Sequence, residues 1–151
     1  MKKRLTELYH SGKLTKEGVF KAIGKGWLTL EDVIELLGED AIDVIRTVKI
    51  KELSTTCNKI IEAGVDVTTH NGTVHFNLSI EDQSNISNLF KVVELVGTEY
   101  PYQADDGVCA IYSDHEIASI YLTAQTLITT QLTYHNVLKK YVLSLVNAHE
   151  I

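Results

Sequence analysis

Val65-Asp66-Val67-Thr68-Thr69-His70-Asn71-Gly72-Thr73-Val74-His75-Phe76-Asn77-Leu78 is the stretch that decides how this chain folds. Apolar and polar residues alternate on both sides of Asn71-Gly72, which is the period of a half-buried strand. Asn-Gly is a favoured two-residue hairpin turn, because both positions require φ > 0. A loop of those two residues pairs His70 with Thr73, Thr69 with Val74, Val67 with Phe76 and Val65 with Leu78. One face then holds Val65, Val67, Thr69, Val74, Phe76 and Leu78. The other holds Asp66, Thr68, His70, Thr73, His75 and Asn77. Alternation and turn chemistry agree, so the segment predicts an antiparallel sheet with one side toward a core.

Helical signals flank the hairpin. Residues 41–63 read as a helix in which Ile50, Leu53, Cys57, Ile60 and Ile61 recur at three- and four-residue spacing, with Gly64 as its stop. Downstream, Ser79 and Asp82 form a capping box that opens a helix over 80–96. Ile86, Leu89, Phe90, Val93 and Val96 face inward, and Gly97 ends it. Residues 98–107 read as a loop around Pro101, and Val108–Tyr112 as a third strand. Ser113-Asp114-His115-Glu116 is a second capping box, opening a long helix to about residue 148.

The first forty residues carry an internal echo, Gly12-Lys13-Leu14-Thr15 and Gly26-Trp27-Leu28-Thr29. Each Thr caps a helix, and Glu31 and Asp32 sit at the positive end of the dipole after Thr29. Three short helices are predicted, near 3–11, 16–24 and 30–37, punctuated by Gly12, Gly26 and Gly38. Leu5, Leu8, Tyr9, Leu14, Val19, Phe20, Ile23, Trp27, Val33, Ile34 and Leu37 supply a small core. So short a segment buries little surface and must lean on the rest of the chain or on a partner. The fold class is therefore α+β: a short N-terminal helical module, then a helix, a β-hairpin, a helix, a third antiparallel strand and a long C-terminal helix. The expected division is 1–40 for the helical module and 41–151 for an α+β domain with a three-stranded sheet.

The last helix draws attention for its length. About 35 residues at 1.5 Å each span roughly 50 Å, against a width of roughly 40 Å for a compact chain of this size. Ile117, Tyr121, Ala124, Ile128, Leu138, Val142 and Leu145 follow spacings of four and three, and Gln131 and His135 fall on the same stripe. A second row, Ile120, Leu127, Tyr134 and Tyr141, recurs every seven residues. Leaving so wide an apolar face in water is costly. These thirteen residues are the candidate self-association interface; the alternative is that the stripe covers the chain's own sheet and shorter helices. Gln131 and His135 either form a polar layer setting register between chains or mark where the helix meets water.

Composition narrows the function. The chain has 151 residues, 44% hydrophobic and 23% charged, with a net charge of −6. That is a globular balance. The acids are dispersed, and the only dense basic run is Lys2-Lys3-Arg4, so no nucleic-acid partner is expected. No stretch approaches the ~20 apolar residues of a membrane span. The start lacks the apolar run of a secretory signal, so the chain is expected to stay where it is made. Cys57 and Cys109 lie in apolar patterns and read as reduced core residues.

No catalytic constellation emerges. His70 and His75 share the hairpin's polar face without a third metal ligand. Cys109 with His115 would pair a strand cysteine with a helix-start histidine, a poor nucleophile and base. Asp105-Asp106-Gly107 lacks the later acids of a calcium loop and reads as a turn. Gly24-Lys25-Gly26 lacks phosphate-loop spacing. Glu39-Asp40 and Glu81-Asp82 sit at helix ends, where the dipole accounts for them. No enzyme activity, cofactor or metal is expected.

Residues 1–39, LTELYHSGKLTKEGVFKAIGKGWLTLEDVIELLG with its preceding basic start, resemble the XkdX-type proteins encoded in phage tail modules. Residues 47–148 resemble an uncharacterised domain of phage tail and tail-fibre-associated proteins. That likeness is carried by IKELSTTCNKIIEAGVDV, HNGTVHFNLSIEDQSNI, TEYPYQADDGVCAIYS and the helix start SDHEI. The resemblance implies no catalytic residues. It implies a structural component of a bacteriophage tail or baseplate, an oligomeric adaptor or anchoring subunit whose partners are copies of itself and other tail proteins. The implied location is the virion tail, with host cytoplasm during assembly. A tail-fibre assembly chaperone absent from the virion and a small regulatory protein are the alternatives.

Overall fold

The computed structural model describes residues 1–105 and 107–151. They form two compact units, Met1–Ser54 with Asn136–Ile151, and Thr55–His135. In chain order the helices are α1 (Lys2–His10), α2 (Lys16–Gly24), α3 (Leu30–Leu37), α4 (Ala41–Glu62), α5 (Ile80–Val96) and α6 (Asp114–Ser144). The strands are β1 (Val65–Thr69), β2 (Gly72–Phe76), β3 (Tyr100–Gln103) and β4 (Cys109–Tyr112). The architecture is α+β, as the sequence predicts. The division does not fall at residue 40, because α4 and α6 each contribute to both units.

In the first unit, α1 to α3 begin and end where the local signals place them. Thr15 Oγ1 accepts the Gly18 N–H, and Thr29 with Asp32 forms a reciprocal capping box at 3.1 and 2.9 Å. Leu5, Val19, Ala22, Leu28, Val33 and Leu37 form a core that Ala41, Val44 and Ile45 of α4 complete. The small module thus leans on the next helix, which is why a boundary at residue 40 would cut through its core. Trp27, expected inside, is 42% exposed and lies under the Lys25 ammonium, 4.6 Å from the ring centroid. Leu28 takes the inward place beside it.

In the second unit, Cys57, Ile61, Val65, Val67, Phe76, Leu78, Ile86, Leu89 and Val93 share one core with Ala104, Tyr112, Ile117, Ile120 and Ala124. The Ser79–Asp82 capping box opens α5 as expected, and Gly97 ends it at φ 63°. Two expected core residues, Ile60 and Val96, are exposed instead. Ile61 and Val93 fill the inward positions of those helix ends.

The hairpin forms, but in a register two residues from the expected one. Val65 pairs with Phe76, Val67 with Val74, and Thr69 with Gly72, so the loop is His70-Asn71. A shift of two returns every side chain to the same face, so burial cannot distinguish the registers. Contacts around the turn select the observed one. Thr69 Oγ1 accepts the Asn71 N–H and donates to the Gly72 carbonyl, both at 3.1 Å. The His70 N–H donates to Glu116 Oε1 of α6 at 2.6 Å.

The strand expected near Val108–Tyr112 is present, but not as the third strand of one sheet. It pairs with Tyr100–Gln103, a segment that reads as loop, giving two separate two-stranded antiparallel sheets. Pro101 sits opposite Ile111. Proline weakens a strand prediction because it has no N–H to give, yet a strand paired on one side only tolerates it. The Gly107 N–H donates to the Ala104 carbonyl at 2.8 Å, closing the turn between the strands. Asp106, part of the expected turn, lies outside the described residues.

Candidate functional site

The thirteen α6 residues of the expected interface do not share one environment. Ile117, Ile120 and Ala124 are in the core of the second unit, and Val142 is buried in the first. These four are closed to a partner, which corrects their assignment to an intermolecular face. Tyr121 stacks on Phe90 of α5 with centroids 4.3 Å apart and planes within 4°. Leu127 and Ile128 pack half-buried on the same core. The Gln131 carbonyl accepts the Cys57 thiol of α4 at 3.6 Å, and His135 Nε2 is out of solvent without a partner among the described residues. Leu138 and Leu145 are half-buried. Only Tyr134 and Tyr141, each 60% exposed, stand open.

Helix geometry explains the spread. A seven-residue row drifts about 20° per heptad on a straight helix. Accordingly Ile120 is buried, Leu127 half-buried, and Tyr134 and Tyr141 exposed. Residues the row omits are exposed beside them, with Val137 58% open and Leu122, Leu132 and Leu143 also accessible. Tyr134, Val137 and Tyr141 stand at i, i+3 and i+7, which is one helix face. The signal was readable as spacing, but the sequence did not say which rows the chain itself covers.

The hairpin histidines are bonded rather than free. His70 Nδ1 lies 2.9 Å from Glu116 Oε1, and its ring meets Tyr112 edge to face. Glu116 also accepts the Ser113 N–H at 2.9 Å. These backbone donors, Ser113 first and then His70, hold the Glu116 carboxyl down at about 2. His75 Nδ1 is 2.6 Å from Asp66 Oδ1, and its Nε2 is 2.6 Å from the Ala63 carbonyl oxygen. The Asp66 bond is the main cause of a raised His75 pKa, partly opposed by burial. The alternation that placed His75 on the polar face did not reveal the helix-end carbonyl it meets.

Cys109 is exposed rather than in the core, while Cys57 is buried. Strand β4 has one covered face, and Cys109 points to the other with Ile111. No hydrogen bond joins Cys109 to His115 among the described residues. Nor does any group of three His, Cys, Asp or Glu side chains there have the arrangement of a metal site. No helix among them is long and apolar enough to cross a membrane.

Two clefts are bounded in part by charged residues already engaged. In the second unit, an open cleft of about 420 Å³ lies between Asn77, Asp82, Asn85, Tyr102, Gln103 and Asp105. Asn77 donates to Asp105 there, and Asp82 is held by Ser79. Burial, with the Asp82 charge, raises the Tyr102 hydroxyl above its ordinary pKa. In the first unit, a groove of about 650 Å³ runs between α1 and α3. Lys2 bridges Asp32 at 2.6 Å and Glu35 at 3.1 Å along it. The charged groups described here serve caps, turns and ion pairs. No family model matches the chain, and neither a curated protein nor a solved structure matches it.

Proposed function

We propose that this chain is a structural subunit of a bacteriophage tail or baseplate, an oligomeric adaptor that works by contact. The observation that carries the contact role is the open row Tyr134, Val137 and Tyr141 on α6. Scattered apolar residues are ordinary on a protein surface, but an aromatic and aliphatic row on one helix face suits packing against a partner. The likeness of residues 1–39 and 47–148 to phage tail proteins supplies the tail setting.

Light scattering tests self-association. The wild-type chain is expected to exceed monomer mass, and a Tyr134→Lys, Val137→Glu, Tyr141→Lys variant to approach it with its helix content intact. A monomeric wild type rejects self-association through this row. Mass spectrometry of purified particles tests the setting: a stoichiometric signal supports a virion subunit. Absence from particles, with binding to a fibre protein during assembly, favours the chaperone reading instead.

A further inference from the structure

His75 occupies a position that a neutral imidazole cannot satisfy. Its Nδ1 faces a carboxylate oxygen of Asp66 and its Nε2 faces the carbonyl oxygen of Ala63, each at 2.6 Å. Both partners accept hydrogen bonds and donate none. A neutral ring carries one N–H and would set a lone pair against the second oxygen. The imidazolium donates to both. Ala63 directly follows α4, whose C-terminal end carries the negative pole of the helix dipole. Asp66 on β1 and Asp105 after β3 add negative charge at the ring. The Ala63 turn is itself pressed against β2, since the next residue, Gly64, has its Cα so near the Phe76 carbonyl that no side chain fits.

We propose that His75 is a protonation-dependent latch that seats the open end of the β1–β2 hairpin on the end of α4 while its ring is protonated and releases it when the proton is lost. Loss of the proton removes one of the two bonds and the ion pair with Asp66. The turn end is held differently, by the His70 backbone N–H on Glu116, with the His70 Nδ1 2.9 Å from the same carboxylate oxygen, a contact that a neutral ring protonated at Nδ1 keeps. The Glu116 carboxyl, held at about 2, stays ionised throughout the range. The His75 proton thus acts at the end where Val65 pairs with Phe76. Because His75 has a raised pKa in the closed state, the latch acts fully below the ordinary value near 6.5 and is lost as pH rises through the raised value.

Histidine NMR titration of the full chain, with amide hydrogen exchange from pH 5.5 to 8.5, tests this. His75 is expected to titrate above 6.5, and Asp66→Asn to lower its midpoint. Protection of the β1 and β2 amides, corrected for intrinsic exchange, is expected to fall as pH passes the His75 midpoint, about tenfold per unit of elevation. Protection in α1 to α3 is expected to stay level. His75→Gln, which cannot titrate, is expected to abolish the pH dependence at the Val65–Phe76 end of the hairpin. A His75 midpoint at or below 6.5, level protection across its titration, or a pH dependence that survives in His75→Gln overturns the latch.

Discussion

Glu116, on the first turn of α6, accepts the backbone N–H of His70 at 2.6 Å across 46 positions of sequence. The same carboxylate accepts the Ser113 N–H and so closes the helix cap. One side chain therefore starts the longest helix and docks the hairpin turn. Glu116→Ala is expected to lower stability by about 2 kcal/mol, the sum of a lost cap and a lost tertiary bond. Glu116→Gln retains an acceptor and is expected to lose less. The wild-type carboxyl is depressed from 4.5 to about 2, so its contribution is full above pH 4.5 and lost as pH falls through about 2. Urea denaturation between pH 2 and 7 checks this, and the acid-dependent loss is expected to shrink in Glu116→Gln.

Gly64 joins α4 to β1 at φ 87°, and a Cβ there would lie 2.1 Å from the Phe76 carbonyl oxygen. Gly12 has a similar φ of 71° with nothing within 4 Å. Gly12→Ala is expected to cost about 1 kcal/mol, for the left-handed backbone alone. Gly64→Ala adds a collision with backbone and is expected to cost clearly more than that. Comparing the two denaturation midpoints separates dihedral strain from steric exclusion.

The two cysteines differ in access. Cys109 is exposed, whereas Cys57 is buried with its thiol on the Gln131 carbonyl. A thiol reagent is expected to modify one site rapidly in the native protein and the second only after denaturant is added. Peptide mapping identifies the fast site as Cys109.

Along α6, burial separates core positions from open ones. Ile117→Ala removes a fully buried side chain and is expected to cost about 2–5 kcal/mol. Tyr141→Ser, on an exposed site, is expected to shift the thermal midpoint of the dissociated chain only slightly while reducing solution mass. Thermal melts paired with light scattering distinguish the two roles. A mass unchanged by Tyr141→Ser would remove that residue from any interface.

Much of the molecule is determined by residues within a few positions of one another. Thr15, Thr29, Ser79 and Ser113 cap helices through groups three residues away, so helix starts are legible in the chain. The alternation around Asn71-Gly72 settled which hairpin residues point inward, because a face is a local property of a strand. Tertiary structure decided what depends on distant partners. It chose between two registers of equal burial through Glu116 and the Thr69 turn. It paired Tyr100–Gln103 with Cys109–Tyr112, where Pro101 had masked the strand. It placed both nitrogens of His75 against acceptors, one of them the end of a helix. It also divided the apolar rows of α6 between core and solvent. Periodicity shows that a helix has an apolar side, but only the packed chain shows how much of that side is already covered.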